Sequence, residues 1–183
     1  MTVAVDTTPA ERVLAATTAC LGRWGLAKTT LDDIAREAGV SRATVYRLFP
    51  GGKETVVRTA IEAEVDAFRL GLADRLGACT TREDVLVTAL TYATRCLRGH
   101  ELLQYLLAHE PEVVLPHLTF DRFDRVLAVA GQAVAPWLEP RVGEWLTRVV
   151  LSYALCPSEW FDLGDVDDAR RFVREFVLQE GAR

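Results

Sequence analysis

A short stretch of the sequence combines the side chains that contact nucleic acids with a helical spacing. The residues are Arg42, Ala43, Thr44, Tyr46 and Arg47. If Val45 and Leu48 face a core, a step of about 100° per residue turns Ala43, Tyr46 and Arg47 toward the opposite side, with Arg42 at its edge. Arginine can bond both acceptors of a guanine edge, and a small side chain can touch the thymine methyl group. This pattern favours a helix that enters the major groove of DNA, and a solvated helix face is the alternative.

Other groups nearby suit the phosphate backbone. They are the side chains of Thr30, Tyr46 and Lys53, together with the backbone N–H groups at the starts of the second, third and fourth predicted helices. Ser41, at the start of the third helix, is also predicted to be a DNA-binding residue. The sequence leaves open which of Arg42 and Arg47 reads a base and which contacts a phosphate.

Two short predicted helices position these residues. One spans residues 31–38 and follows a Thr30 cap with Asp33 three residues on; the other spans residues 42–48 and follows a Ser41 cap. A glycine at position 39 suits the turn between them, since it can take a left-handed conformation. We therefore predict a helix-turn-helix. An ordinary hairpin of a helical bundle is the alternative.

The rest of the chain also follows helical periodicity, and no stretch alternates with period two. We predict an all-α fold of about nine helices: a three-helix head with the helix-turn-helix over residues 1–52, and a helical body over residues 53–183. Gly25 is expected to stop the first helix. The later helices are expected at about 53–76, from Thr81 onward, 101–109, 121–134, 142–155 and 166–180.

The sequence from Val13 to Val57 resembles the TetR family of bacterial transcription regulators. The resemblance is strongest in Ile34-Ala35-x-x-Ala38-Gly39-Val40-Ser41-x-x-Thr44-Val45-Tyr46-x-x-Phe49, followed by Lys53-Glu54. It implies a homodimeric repressor that binds a palindromic operator in double-stranded DNA and is released by a small-molecule effector. One departure is the extra residue in Phe49-Pro50-Gly51-Gly52-Lys53, which shifts the start of the fourth helix.

The family resemblance also implies roles for the body. A cavity for a small, mainly apolar effector would be lined by aromatic residues of the middle helices, namely Phe68, Tyr92, Tyr105, Phe120, Phe123 and Trp137. The last two helices would pair between subunits through Trp145, Val149, Tyr153, Phe172 and Phe176. The alternative for both sets is packing within the core of a single chain.

Composition agrees with this division of the chain. Of 183 residues, 50% are hydrophobic and the net charge is −5. Residues 1–54 carry seven basic and six acidic side chains, whereas the remainder carries 14 basic and 20 acidic ones. The acidic excess therefore lies outside the predicted DNA-binding head.

Several other classes of protein are disfavoured. The longest apolar run, Val126–Leu138, is shorter than the roughly 20 residues of a membrane span, and no secretory signal is visible, so we expect a cytoplasmic protein. Four widely spaced cysteines and the absence of catalytic motifs predict no metal, no cofactor and no catalytic residue. A helical enzyme and a helical dimer without DNA binding remain as competing hypotheses.

Overall fold

The computed structural model describes residues 7–112 and 123–178. This part of the chain forms nine helices and no strand, as predicted. The helices are α1 (Pro9–Lys28), α2 (Leu31–Glu37), α3 (Arg42–Leu48), α4 (Lys53–Gly77), α5 (Arg82–Gly99), α6 (Glu101–His109), α7 (Phe123–Val134), α8 (Pro140–Leu155) and α9 (Val166–Phe176). Within those residues, no helix is both long enough and apolar enough to cross a membrane.

The helix starts are set by side chains that accept hydrogen bonds from backbone N–H groups. Thr8, Thr30 and Thr81 each cap the helix that follows by accepting from the N–H three residues on. At Thr8 and Thr30 a full capping box forms, and the one at Thr30 includes the Asp33 that the sequence indicated. Asp165 accepts from the N–H groups of residues 167 and 168, and so caps α9.

Several helix ends differ from the sequence-based expectation. Gly25 interrupts α1 with a φ of 78° and does not stop it, because the chain resumes a helical turn that reaches Lys28. α8 begins at Pro140, two residues before the predicted start, since proline is well accommodated in a first helical turn. α9 ends at Phe176, where the N–H groups of Val177 and Leu178 both bond to the carbonyl of Val173.

The described residues fall into two compact units. The first comprises residues 7–67 and 101–111, and α1 packs against α2, α3 and α6 within it. Its core contains fully buried side chains from the first four helices: Val13, Cys20, Ile34, Val45 and Val56.

The second unit comprises residues 68–100, 112 and 123–178. α5 packs against α8 and α9, and α7 packs against α8. Its core contains Leu76, Leu86, Leu90, Leu163 and Val173. The division of the chain at residues 52 and 53 rests on where the helix-turn-helix ends, and it stays a prediction.

Candidate nucleic-acid interface

α2, a glycine turn and α3 form the predicted helix-turn-helix. Gly39 has a φ of 64°, the left-handed conformation expected at this turn. The N–H of Val40 bonds back to the carbonyl of Ala35 at 3.0 Å, which closes the turn. Ile34 of α2 and Val45 of α3 are fully buried, so each helix is anchored by one apolar face.

The opposite face of α3 is turned to solvent. Arg42, Ala43, Tyr46 and Arg47 are all exposed, and the Tyr46 side chain stands out as 45% exposed despite its size. This is the orientation that helical periodicity predicted. The face thus presents two guanidinium groups, one phenol and one methyl group from a rigidly packed helix.

The two arginines differ in their surroundings. The Nη1 atom of Arg42 lies 2.8 Å from the Oδ2 atom of Asp32, the second residue of α2. The Arg42 guanidinium also lies over the Tyr46 ring, 5.6 Å from its centroid. The Tyr46 side chain, followed by Asp32, raises the pKa of Arg42, so its charge is secure. By contrast, the guanidinium of Arg47 makes no hydrogen bond or ion pair with any residue that the structure describes.

The hydroxyl groups of Thr30 and Ser41 cap helices, and that of Thr44 bonds to the Ser41 cap. Thr30 caps α2, where its hydroxyl lies 2.5 Å from a carboxylate oxygen of Asp33. Together with the Thr30 N–H, this bond lowers the pKa of Asp33. Ser41 caps α3, and its oxygen lies 2.9 Å from that of Thr44. Thr30 and Ser41 therefore stabilise the first turns of α2 and α3.

Lys53 begins α4 with its side chain turned inward. Its Nζ atom donates a hydrogen bond of 2.5 Å to the carbonyl of Leu26 in α1. The preceding Gly51 and Gly52 have φ values of 111° and 74°, so the extra residue noted in the sequence is accommodated by two left-handed glycines. A phosphate contact by Lys53 stays a prediction, and the bond to Leu26 uses one of the three N–H donors of its ammonium group.

The residues named for an effector cavity fall in different places. Phe68 and Tyr92 stack in the second unit with ring centroids 5.5 Å apart. Trp137 packs against the core of that unit. Tyr105 belongs to the first unit, where it stacks on His109 at 4.5 Å. Phe120 lies outside the described residues, and of Phe123 only its place at the start of α7 is described.

The residues named for subunit pairing divide between buried and exposed. Phe172 is buried and touches Tyr153 and Phe176 through ring contacts. Trp145, Val149 and Tyr153 are half-buried against the core of the second unit. Phe176 is 58% exposed. Other large apolar side chains at the end of α8, before α9 and at its start are also exposed, among them Leu155, Trp160 and Val166.

Sequence reasoning missed two acidic residues that hold this part of the chain. Neither Asp32 nor Glu110 was among the predicted site residues. Asp32 lies in the first turn of α2, and its charge opposite to that of Arg42 was a visible signal. The Glu110 carboxylate accepts a hydrogen bond from the N–H of Leu26. No sequence pattern indicates that second contact, because 84 residues separate its partners. No group of three or more His, Cys, Asp or Glu side chains in the described ranges could hold a metal ion.

Comparison with known proteins finds one matching family model and several similar regulators, two of which are described below. Residues 13–60 match the family model for bacterial regulatory proteins of the tetR family. The HTH-type transcriptional regulator LmrA of Bacillus subtilis is 34% identical over 70 residues, which make up 38% of this chain and 37% of LmrA. The uncharacterized HTH-type transcriptional regulator Rv2250c of Mycobacterium tuberculosis is 32% identical over 99 residues, 54% of this chain and 50% of that protein.

The fold of the whole chain has relatives among solved structures. The crystal structure of SCO7518 from Streptomyces coelicolor A3(2) matches with a TM-score of 0.68 at 16% identity, covering 91% of this chain and 96% of the other. That likeness covers more of this chain than either match to a curated relative does. The matched segments span half or less of the two curated relatives.

Proposed function

The chain belongs to the TetR family of bacterial regulatory proteins, and we propose that it is a DNA-binding transcriptional regulator that represses its target genes. It would bind a palindromic operator as a homodimer and leave it when a small, mainly apolar effector binds. Its partner, double-stranded DNA, would place it in the cytoplasm. The curated relative LmrA is a transcriptional regulator, and we propose a binding role without catalysis for this chain as well.

The observation that carries the proposal is the exposed face of α3. Val45 is fully buried beneath it, so the helix cannot turn without exposing its core residue. The exposed side chains include Arg42 and Arg47, which have the chemistry to bond guanine edges or phosphates. A helix held in this way by a second helix and a glycine turn is the arrangement that enters the major groove.

Selection from a library of random duplex DNA tests this function. We expect the wild-type chain to enrich one palindrome whose half-sites are about one helical turn, roughly 34 Å, apart. The double variant Arg42→Ala/Arg47→Ala should enrich none. Arg141→Ala is the matched control, because it removes an exposed arginine whose ion-pair partner among the described residues is nearby Glu139. Failure of the wild-type chain to enrich any sequence would overturn the proposal.

Apolar exposure in the second unit supports the homodimer. Trp160 is 79% exposed, Phe176 58% and Val166 42%, and all three lie in α9 or in the segment before it. Burial of such side chains against a second copy is favourable by about 25 cal/mol per Å² of apolar surface. Pairing by a two-fold axis would present two recognition helices to the two halves of a palindrome.

Aromatic side chains of the second unit support an apolar effector. The Phe68 and Tyr92 rings stack, and Arg75 lies over Tyr92 at 4.5 Å from the ring centroid. Burial raises the pKa of Tyr92, which keeps its phenol neutral. Such a site would offer apolar walls and a few polar groups to a small molecule. Addition of an effector to the protein–DNA complex should lower the affinity of the protein for the selected duplex. The Arg75→Ala/Tyr92→Ala variant should stay on the DNA when the same effector is added.

A further inference from the structure

Arg42 and Arg47, the two arginines on the exposed face of α3, differ in their charged neighbours. Arg42 is held on one side by the carboxylate of Asp32 at 2.8 Å and on the other by the ring of Tyr46. Both partners of the ion pair are about half exposed, with relative exposures of 55% and 54%. Arg42 is thus oriented by contacts from two helices while its remaining N–H donors stay open to the outside.

The pairing changes what Arg42 can bind. A guanidinium carries five N–H donors, and the bond to Asp32 engages Nη1 only, so donors are left for the two acceptors of a guanine edge. A phosphate, in contrast, would approach a pair whose net charge is zero and would be repelled by the Asp32 carboxylate. Arg47 is exposed and forms no ion pair with a carboxylate of the described residues, so its full charge is available to a phosphate.

We propose that Asp32 is a positioning residue that directs Arg42 to a base edge and leaves the phosphate contact to Arg47. The inference rests on the proposed DNA-binding function and assigns the two roles that the sequence leaves open. It makes Asp32, which contacts no DNA itself, a determinant of sequence preference.

Selection from random duplexes, followed by affinity measurements over a range of salt concentrations, tests the assignment. Arg42→Ala should abolish the preference at one base pair of each half-site, a change of about 5- to 150-fold. Arg47→Ala should weaken all sequences alike and reduce the slope of log affinity against log salt by about 0.9 for each head. Asp32→Asn should relax the preference at the Arg42 position at least threefold and steepen that slope, because Arg42 becomes free to contact a phosphate.

A double variant separates positioning from general electrostatics. Asp32→Asn should have no further effect on base preference in the Arg42→Ala background, since it acts through Arg42. Glu37→Gln is the matched control: it removes one negative charge from the same helix but from a carboxylate that pairs with Arg23. We expect this control to keep the wild-type base preference. Asp32→Ser supplies a second neutral replacement should Asp32→Asn unfold.

Each remaining outcome overturns the inference. If wild-type protein enriches a palindrome and the Asp32 variants keep both its base preference and its salt slope, the positioning role is wrong while the proposed function stands. If Arg42→Ala weakens all sequences alike, the two arginine roles are wrong. If the wild-type chain enriches no sequence, the proposed function fails and this inference fails with it.

Discussion

The carboxylate of Glu110, which follows α6, accepts a hydrogen bond of 3.2 Å from the backbone N–H of Leu26 in α1. The carbonyl of Leu26 accepts a hydrogen bond from the side chain of Lys53 in α4. Both polar backbone groups of Leu26 are therefore bonded to side chains from other parts of the first unit. These bonds fasten the last turn of α1 directly after Gly25, where the backbone leaves the helical conformation.

Removal of the Glu110 carboxylate should destabilise the first unit. Glu110→Ala leaves the Leu26 N–H without this charged acceptor, and we expect the free energy of unfolding to fall by about 1–2 kcal/mol. Urea denaturation followed by circular dichroism measures the change. Glu112→Ala is the control, because that side chain is exposed. Equal unfolding midpoints for the two variants would show that the contact contributes nothing.

Alanine substitutions at three glycines should form a graded series. Gly25→Ala should cost about 2 kcal/mol or more, because the new Cβ would meet the Glu110 carboxylate and Tyr105 at a positive φ. Gly39→Ala should cost about 1 kcal/mol, since its φ of 64° is unfavourable for alanine but the space is open. Gly77→Ala, with open space and no positive φ, should be neutral or stabilising. Thermal unfolding of the three variants checks this order, and equal losses at Gly25 and Gly77 would contradict it.

Asp162 should contribute to stability only above acidic pH. The N–H of Gly164, followed by Arg98, lowers the pKa of Asp162 in the folded chain below its usual range. Since the unfolded chain then binds the proton more readily, the contribution is complete at neutral pH and is lost as the pH falls through the folded pKa. Asp162→Asn should therefore flatten the decrease in melting temperature between about pH 5 and pH 3, and the exposed Asp74→Asn should not. A parallel decrease for Asp162→Asn and the wild-type chain would be evidence against this role.

Phe176→Asp should disrupt the proposed homodimer. The side chain is 58% exposed in one copy, so a charge there can stay in contact with water in a monomer but would be buried in a dimer interface. Light scattering after size-exclusion chromatography should find the mass of two chains for the wild-type protein and of one for the variant. Leu70→Asp, at a residue 73% exposed on α4, is the matched control and should stay dimeric. A wild-type chain that elutes as a monomer would contradict the prediction.

Local features of the fold were predictable from sequence. Caps such as Thr30 and Ser41 act over three residues, so the sequence alone places the starts of α2 and α3. The outward face of α3 followed from the helical period and the burial of Val45. Periodicity therefore sufficed for the candidate DNA-binding face.

Contacts between distant residues were not predictable in the same way. The pairing of Asp32 with Arg42 depends on how α2 and α3 pack, and the bond from Leu26 to Glu110 depends on the position of α6 against α1. Gly25 illustrates the same limit, since its left-handed φ was expected to stop the helix. The packing of α6 against α1 permits one more turn to Lys28.

The affinity of the full chain for its selected duplex, relative to a shuffled duplex of the same composition, tests the central claim most directly. At about 0.15 M salt we expect the selected duplex to bind at least 10³-fold more tightly, as specific DNA-binding proteins do. Arg42→Ala/Arg47→Ala should remove that difference, while Arg141→Ala should keep it. Equal affinity of the wild-type chain for both duplexes would contradict sequence-specific DNA binding by α3.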